Sequence, residues 1–282
     1  MAPPDILGFD IPVAVFSGAA TLWAGKLAMN DKRYAMRHTL TMLSGLSFFI
    51  ATLLELLAAD QMGFPFDLDS SYYIMNSVAV LFAMIARYLL WCILFEVVRG
   101  TSKTSEDSQL STIPKTAYGW SALMSILMLV YVILVLVTGS FAAIVMYYIG
   151  TYGIVMMNIL QLVLSSRPGY SLAINPFRGS FRIFLLLLSL VSLGQIFGNV
   201  SFYVLEMGGF MALTILQYVF GSLLASMALV FVCTCSSKWV SFSDHDRLNQ
   251  VGDDEAQQPM GTYNPDDVYT SNKTAADDVG RF

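Results

Sequence analysis

The sequence predicts an all-α integral membrane protein. Seven transmembrane helices form one domain over residues 1–242, and a disordered acidic tail follows over 243–282. Three observations carry this reading. The chain is 56% hydrophobic and 12% charged, with mean hydropathy +0.64, whereas soluble domains carry about 25% charged residues. Its apolar residues gather in seven runs of roughly 21–26 residues, each long enough for the ~30 Å of a bilayer core at 1.5 Å per residue. The basic residues, finally, sort to one side of those runs.

The runs lie at about 9–29, 39–59, 76–98, 118–138, 141–165, 182–206 and 210–235. The first follows MAPPDILGFDIPV, which has no basic n-region and no obvious cleavage site. That span is therefore expected to act as an anchor rather than a removable signal. The fourth and fifth runs are divided only by Thr138-Gly139-Ser140. One helix over 118–165 would be ~70 Å long, so a tight turn is expected there.

Orientation follows from the basic residues. With the N-terminus outside, Lys32, Arg33 and Arg37 fall in the first inner segment. Arg99, Lys103 and Lys115 fall in the second, and Arg167, Arg178 and Arg182 in or beside the third. Lys238, Arg247, Lys273 and Arg281 fall in the tail, and Lys26 marks the inner end of the first span. The outer segments hold Asp5, Asp10, Asp60, Asp67, Asp69 and Glu206, with no Lys or Arg. This positive-inside split predicts a cytoplasmic C-terminus and fits an odd number of spans. It fits the plasma membrane and internal membranes equally.

The outer loop 60–75 is long enough to fold over the mouth of the bundle. The inner loops 99–117 and 166–181 are longer and polar, and with the tail they offer a surface for a cytoplasmic partner or merely connect helices. The tail is polar, acidic and nearly free of aliphatic residues, so it is expected to be disordered. A sequence pI near 4.9 is no nucleic-acid signature. Membrane lipids are the partner that composition requires.

One basic residue stands in the bilayer core. Arg87 lies midway along the third run, NSVAVLFAMIARYLLWCILFEVVR. Such a charge costs at least ~2.5–3.5 kcal/mol on insertion scales and is expected to face protein or water with a partner. The nearest candidate is Glu55 in the second run, about 10 Å away in depth by helix rise. Asp10 and Asp60 come next, through water. Glu96, three residues before Arg99, is expected to snorkel to the inner interface. Further polar residues sit inside the runs: Asn158, Gln161, Gln195, Asn199, Thr214, Gln217 and Ser222. They either hold helices together or, with Arg87, Tyr88 and Trp91, line a polar cavity. Gly194-x3-Gly198 and Ser222-x3-Ser226 are spacings for close helix contact.

Several chemistries find no residues. The two histidines, His38 and His245, lie outside the predicted spans, which argues against a bis-histidine haem or a histidine metal site. The sequence contains no HExxH, GxSxG or phosphate-binding glycine loop. No enzyme and no metal site is expected. The three cysteines, Cys92, Cys233 and Cys235, fall in no outer loop, so an outer disulfide scaffold is not expected. Cys233 and Cys235, at the inner end of the last run, are candidates for S-palmitoylation, with Trp239 and Phe242 then lying on the membrane surface.

Arg87-Tyr88-x-x-Trp91 is similar to the Arg-Tyr-x-x-Trp of microbial rhodopsins, and Asp31-Lys32-Arg33-Tyr34 also resembles their second span's start. The resemblance implies a seven-helix opsin-related bundle. It places Leu90 where a proton-acceptor carboxylate would be, and Gln217 and Gly221 near the counter-ion and the retinal lysine. The last run has no lysine, so covalent retinal is not expected and no cofactor is assigned. The favoured expectation is a non-enzymatic receptor-like or opsin-related protein, sensing through a cavity among spans two, three, six and seven. The alternatives are a small transporter or channel with Arg87 as its ion or proton site, and a structural membrane organiser.

Overall fold

Helices α1 (Pro4–Asn30), α2 (Ala35–Asp60), α3 (Ser70–Thr101), α4 (Ser108–Val137), α5 (Phe141–Ser165) and α6 (Arg178–Tyr203) supply six spans. The seventh is composite: α7 (Phe210–Gln217), a π-helical stretch (Tyr218–Leu223) and α8 (Leu224–Cys235). In this computed structural model the described residues are 4–32, 34–60, 70–101, 108–137, 141–166, 177–203, 210–236 and 238–239. The expected outer lid at 61–69, the turn at 138–140, parts of both inner loops and the tail lie outside the described residues. So does the side chain of Thr214. Among the described residues there is no strand, and seven helices are long and apolar enough to cross a membrane. The protein is a multi-pass, seven-helix membrane bundle.

Several helices run beyond their apolar runs. α4 starts at Ser108 rather than near 118, and α6 at Arg178 rather than 182. Helix formation needs backbone hydrogen bonds and not hydropathy, so a polar first turn extends a span without an apolar signal.

Neighbouring helices pack in sequence order, and α1 meets α8 to close the ring. α3 lies inside that ring, touching α2, α4, α5, α6 and α8. Its run from Tyr88 to Val98 is buried at nearly every position, including Trp91, Phe95 and the apolar residues between them. Small residues allow the close approaches. A Cβ on Gly45 would stand 3.0 Å from the Ser17 carbonyl oxygen of α1. A Cβ on Gly194 would stand 2.8 Å from the Gly221 Cα. The glycine spacing in α6 thus does mark a close contact, with the π-helical stretch. Polar links join other neighbouring pairs of helices. Ser44 Oγ donates to the Ala86 carbonyl at 2.8 Å, and Trp120 Nε1 donates to the Gly153 carbonyl at 3.0 Å.

Two expectations fail at the basic end. Trp239 does not lie on a membrane surface: it is fully buried among Phe177, Phe184 and Phe231, and its indole N–H donates to Ser180 Oγ at 2.8 Å. Arg37, grouped by sequence with the inner-loop cations, is also buried. Its Nη2 donates to the Ser236 carbonyl and hydroxyl at 3.1 and 3.0 Å. The last carbonyls of a helix have no intrahelical partner and attract a cation, so Arg37 caps the seventh span from the start of the second.

Candidate functional site

Arg87 projects from α3 toward the seventh span. Its Nε donates to the Gly221 carbonyl oxygen at 3.3 Å, and its Nη2 to Ser222 Oγ at 3.4 Å. Nη1 lies 3.5 Å from Met84 Sδ, and the guanidinium carbon sits 5.8 Å from the centre of the Phe48 ring. Each of these partners is neutral. Among the described residues no ion pair joins Arg87 to Glu55, so the expected direct pairing is corrected. The geometry explains why: the π-helical stretch presents its backbone and Ser222 to the guanidinium first.

The π geometry is itself visible in the backbone, where the Leu224 N–H bonds five residues back to the Val219 carbonyl. Such stretches are rare inside α-helices and often accompany functional sites. Gly221 leaves open the space beside the guanidinium and the Gln195 amide that a side chain would fill. A Cβ there would stand 3.5 Å from Arg87 Nη2 and 3.3 Å from Gln195 Nε2.

Beside the guanidinium is a cavity of about 60 Å³. Glu55 faces it from α2, Arg87 and Met84 from α3, and Tyr147 from α5. Gln195 of α6 and Gln217, Tyr218 and Ser222 of the seventh span complete its polar wall. A water occupies about 30 Å³ of liquid, so the space suits a few waters or a small ion. Drug-sized ligands need about 300–1,000 Å³. Gln195 is 5% exposed, and among the described residues its Nε2 has no hydrogen-bond partner. An unpaired buried donor costs about 1–3 kcal/mol, which makes this nitrogen a place where something polar is wanted.

Of the residues singled out from sequence, Arg87, Glu55, Gln195 and Gln217 converge. Tyr88, Trp91 and Asn199 do not line the cavity. Tyr88 points across to α5, its hydroxyl donating to the Gly150 carbonyl. Trp91 is buried against Phe95. Asn199 Nδ2 donates to Thr151 Oγ1 at 3.1 Å, and Asn158 Nδ2 to Ser192 Oγ at 3.1 Å, both linking α5 to α6. Tyr147 and Tyr218 also line the cavity; a tyrosine in an apolar helix gives no sequence signal of which way it faces.

Two further expectations change. Glu96 does not reach the interface: it is 6% exposed, accepts from Arg99 Nη2 at 2.9 Å, and accepts from the Tyr118 hydroxyl. Arg99 carries the pair's contact with the surroundings, being 46% exposed. The candidate lipidation thiols are both buried, and Cys233 Sγ points at the Ala20 carbonyl of α1 at 3.7 Å. An acyl chain on either would displace helix packing.

Comparison with protein family models, characterised proteins and solved structures finds no match to this chain.

Proposed function

We propose that the protein is a non-enzymatic seven-helix membrane protein of the receptor-like or opsin-related kind, whose sensing element is the Arg87 cavity. One observation carries this reading. A buried guanidinium is held by the Gly221 carbonyl and Ser222 hydroxyl of the π-helical stretch, while Glu55 lines the same cavity. Neutral dipoles stabilise a buried cation only in part. The energy of the α3–span-seven contact therefore depends on what fills the space. The seventh span then carries the change to the basic end, where Arg37 holds its last carbonyls. The readout passes through the inner loops 99–117 and 166–181 and the tail, in a plasma or internal membrane. The small cavity and the absence of a lysine in the seventh span favour a site without an organic pigment.

The cavity's size also favours a second reading, a small transporter or channel with Arg87 as its ion site. Reconstituted protein separates the two. For a sensor, Arg87→Gln changes Trp239 fluorescence at the basic end (read with Trp23, Trp91 and Trp120 replaced by Phe), and the proteoliposomes show no ion flux. For a transporter, flux is present in the wild type, survives deletion of 243–282 and is lost in Arg87→Gln. If Arg87→Gln lowers thermal stability and changes neither signal, the charge serves the fold alone and both readings fall.

A further inference from the structure

We propose that the cavity binds a small monovalent anion of about the size of chloride, held between Arg87 Nη2 and Gln195 Nε2 over the bare face of Gly221, and that the anion enters together with a proton taken up by Glu55. The inference rests on the cavity being a ligand site, and it names the ligand.

Donors dominate the inner wall. Arg87 and Gln195 both reach over Gly221, at 3.5 and 3.3 Å from the place a Cβ would occupy. Both side chains are more than nine-tenths buried, and the Gln195 nitrogen has no partner among the described residues. A guanidinium next to an unused amide N–H is a site for an anion, since neither nitrogen accepts a hydrogen bond. Water alone would satisfy the amide but would leave the guanidinium with neutral partners.

Charge balance brings in the proton. Arg87 and an ionised Glu55 together are neutral. An anion added to that pair leaves a net negative charge inside the bundle, which low polarizability penalises. A proton from bulk solvent on the Glu55 carboxylate restores neutrality, so anion and proton bind with positive coupling. The charged and titratable groups around Glu55 are Asp10 from α1, Arg87 from α3, Tyr147 from α5 and Tyr218 from the seventh span. The other titratable side chains among the described residues of the cavity wall are Tyr147 and Tyr218, and tyrosines ordinarily titrate far above neutrality. Among the described residues Asp10 is the other acid near Glu55, and it is separable by substitution.

The experiment uses the full chain in nanodiscs, with chloride as the probe and gluconate at equal ionic strength as the oversized control. Chloride affinity is read from the saturable rise in thermal midpoint between pH 5 and pH 8. Wild type is expected to bind chloride with an apparent Kd that tightens up to tenfold for each unit the pH falls, the limit for one linked proton. Glu55→Gln is expected to bind chloride with no pH dependence, and Asp10→Asn to keep the wild-type slope. Gly221→Ala places a methyl group under the two donors and is expected to fold while losing the chloride response at least tenfold. No saturable difference between chloride and gluconate in wild type overturns the anion site. An undiminished chloride response in Gly221→Ala overturns its location. A pH-independent Kd in wild type, or a slope that survives Glu55→Gln, overturns the coupled proton. Failure here is distinct from failure of the sensing reading: chloride without effect, beside an Arg87→Gln variant that still alters Trp239 fluorescence, sinks the anion and leaves the sensor.

Discussion

Arg37 Nη1 donates to the Trp239 carbonyl oxygen at 2.9 Å across 202 residues of sequence. With the Ser236 carbonyl also bound, the fork of one side chain closes the end of the seventh span against the second. Arg37→Leu is expected to lower unfolding free energy by about 1.5–3 kcal/mol, the range for hydrogen bonds to a charged partner. Arg37→Lys should recover only part of that, because an ammonium lacks the planar fork. Denaturant unfolding in a fixed detergent measures both, and full recovery by lysine would contradict the bidentate account.

Trp239 is the centre of the aromatic cluster at the same end. Trp239→Ala should cost about 3–5 kcal/mol, as large aromatic truncations in cores do. Trp239→Phe should cost less, losing mainly the bond to Ser180. Equal losses in the two variants would mean that the indole N–H, and not the packing, holds the cluster.

Gly194 and Gly119 should respond to alanine in opposite directions. A Cβ on Gly194 meets the Gly221 N and Cα at 2.5 and 2.8 Å, whereas one on Gly119 meets nothing within 4 Å. Gly194→Ala is expected to cost about 1–3 kcal/mol through overpacking. Gly119→Ala should be neutral or stabilising by up to about 1 kcal/mol, since it removes a helix-interior glycine. Thermal midpoints of the two variants decide the matter.

Glu96 and Tyr118 form a partly buried hydrogen bond beside Arg99. A double-mutant cycle with Glu96→Gln and Tyr118→Phe should give a coupling of about 0.5–3 kcal/mol, typical of contacting pairs. Additive losses would place the two groups out of contact.

Cys92, Cys233 and Cys235 are all buried. Native protein should therefore react with N-ethylmaleimide at least tenfold more slowly than unfolded protein, and hydroxylamine treatment should produce no mass loss. A hydroxylamine-sensitive palmitate on Cys233 or Cys235 would show that the inner end of the seventh span opens.

The number of spans was legible because each is a long apolar run, and Arg87 because a charge in such a run stands alone. Which face each helix turns inward was not legible. Lipid tails are as apolar as a leucine-filled interior, so the amphipathic signal that orients a soluble helix is missing. That is why Tyr88 and Asn199 looked like cavity residues and proved to be helix contacts, while Tyr147 and Tyr218 passed unnoticed. Arg37 was hidden for another reason. It stands beside Lys32 and Arg33, and counting charges near a boundary does not tell a buried cap from a solvated loop. Glu55 shares the cavity wall with Arg87 without pairing with it. Its distance from the guanidinium depends on the backbone of the seventh span, whose π-helical stretch no residue pattern announces.

That stretch also sets a phase. Successive residues of an α-helix are rotated by about 100°, so an extra residue in one turn offsets everything after it by that angle. Removing one residue between Tyr218 and Leu223 would restore a regular helix and rotate one half of the span against the other. Either Gly221 and Ser222 would swing away from Arg87, or Cys233 would lose Ala20. The same span has to serve a buried charge at mid-depth and a closed seam with the first helix at its end. An unbroken α-helix of this sequence meets only one of those demands.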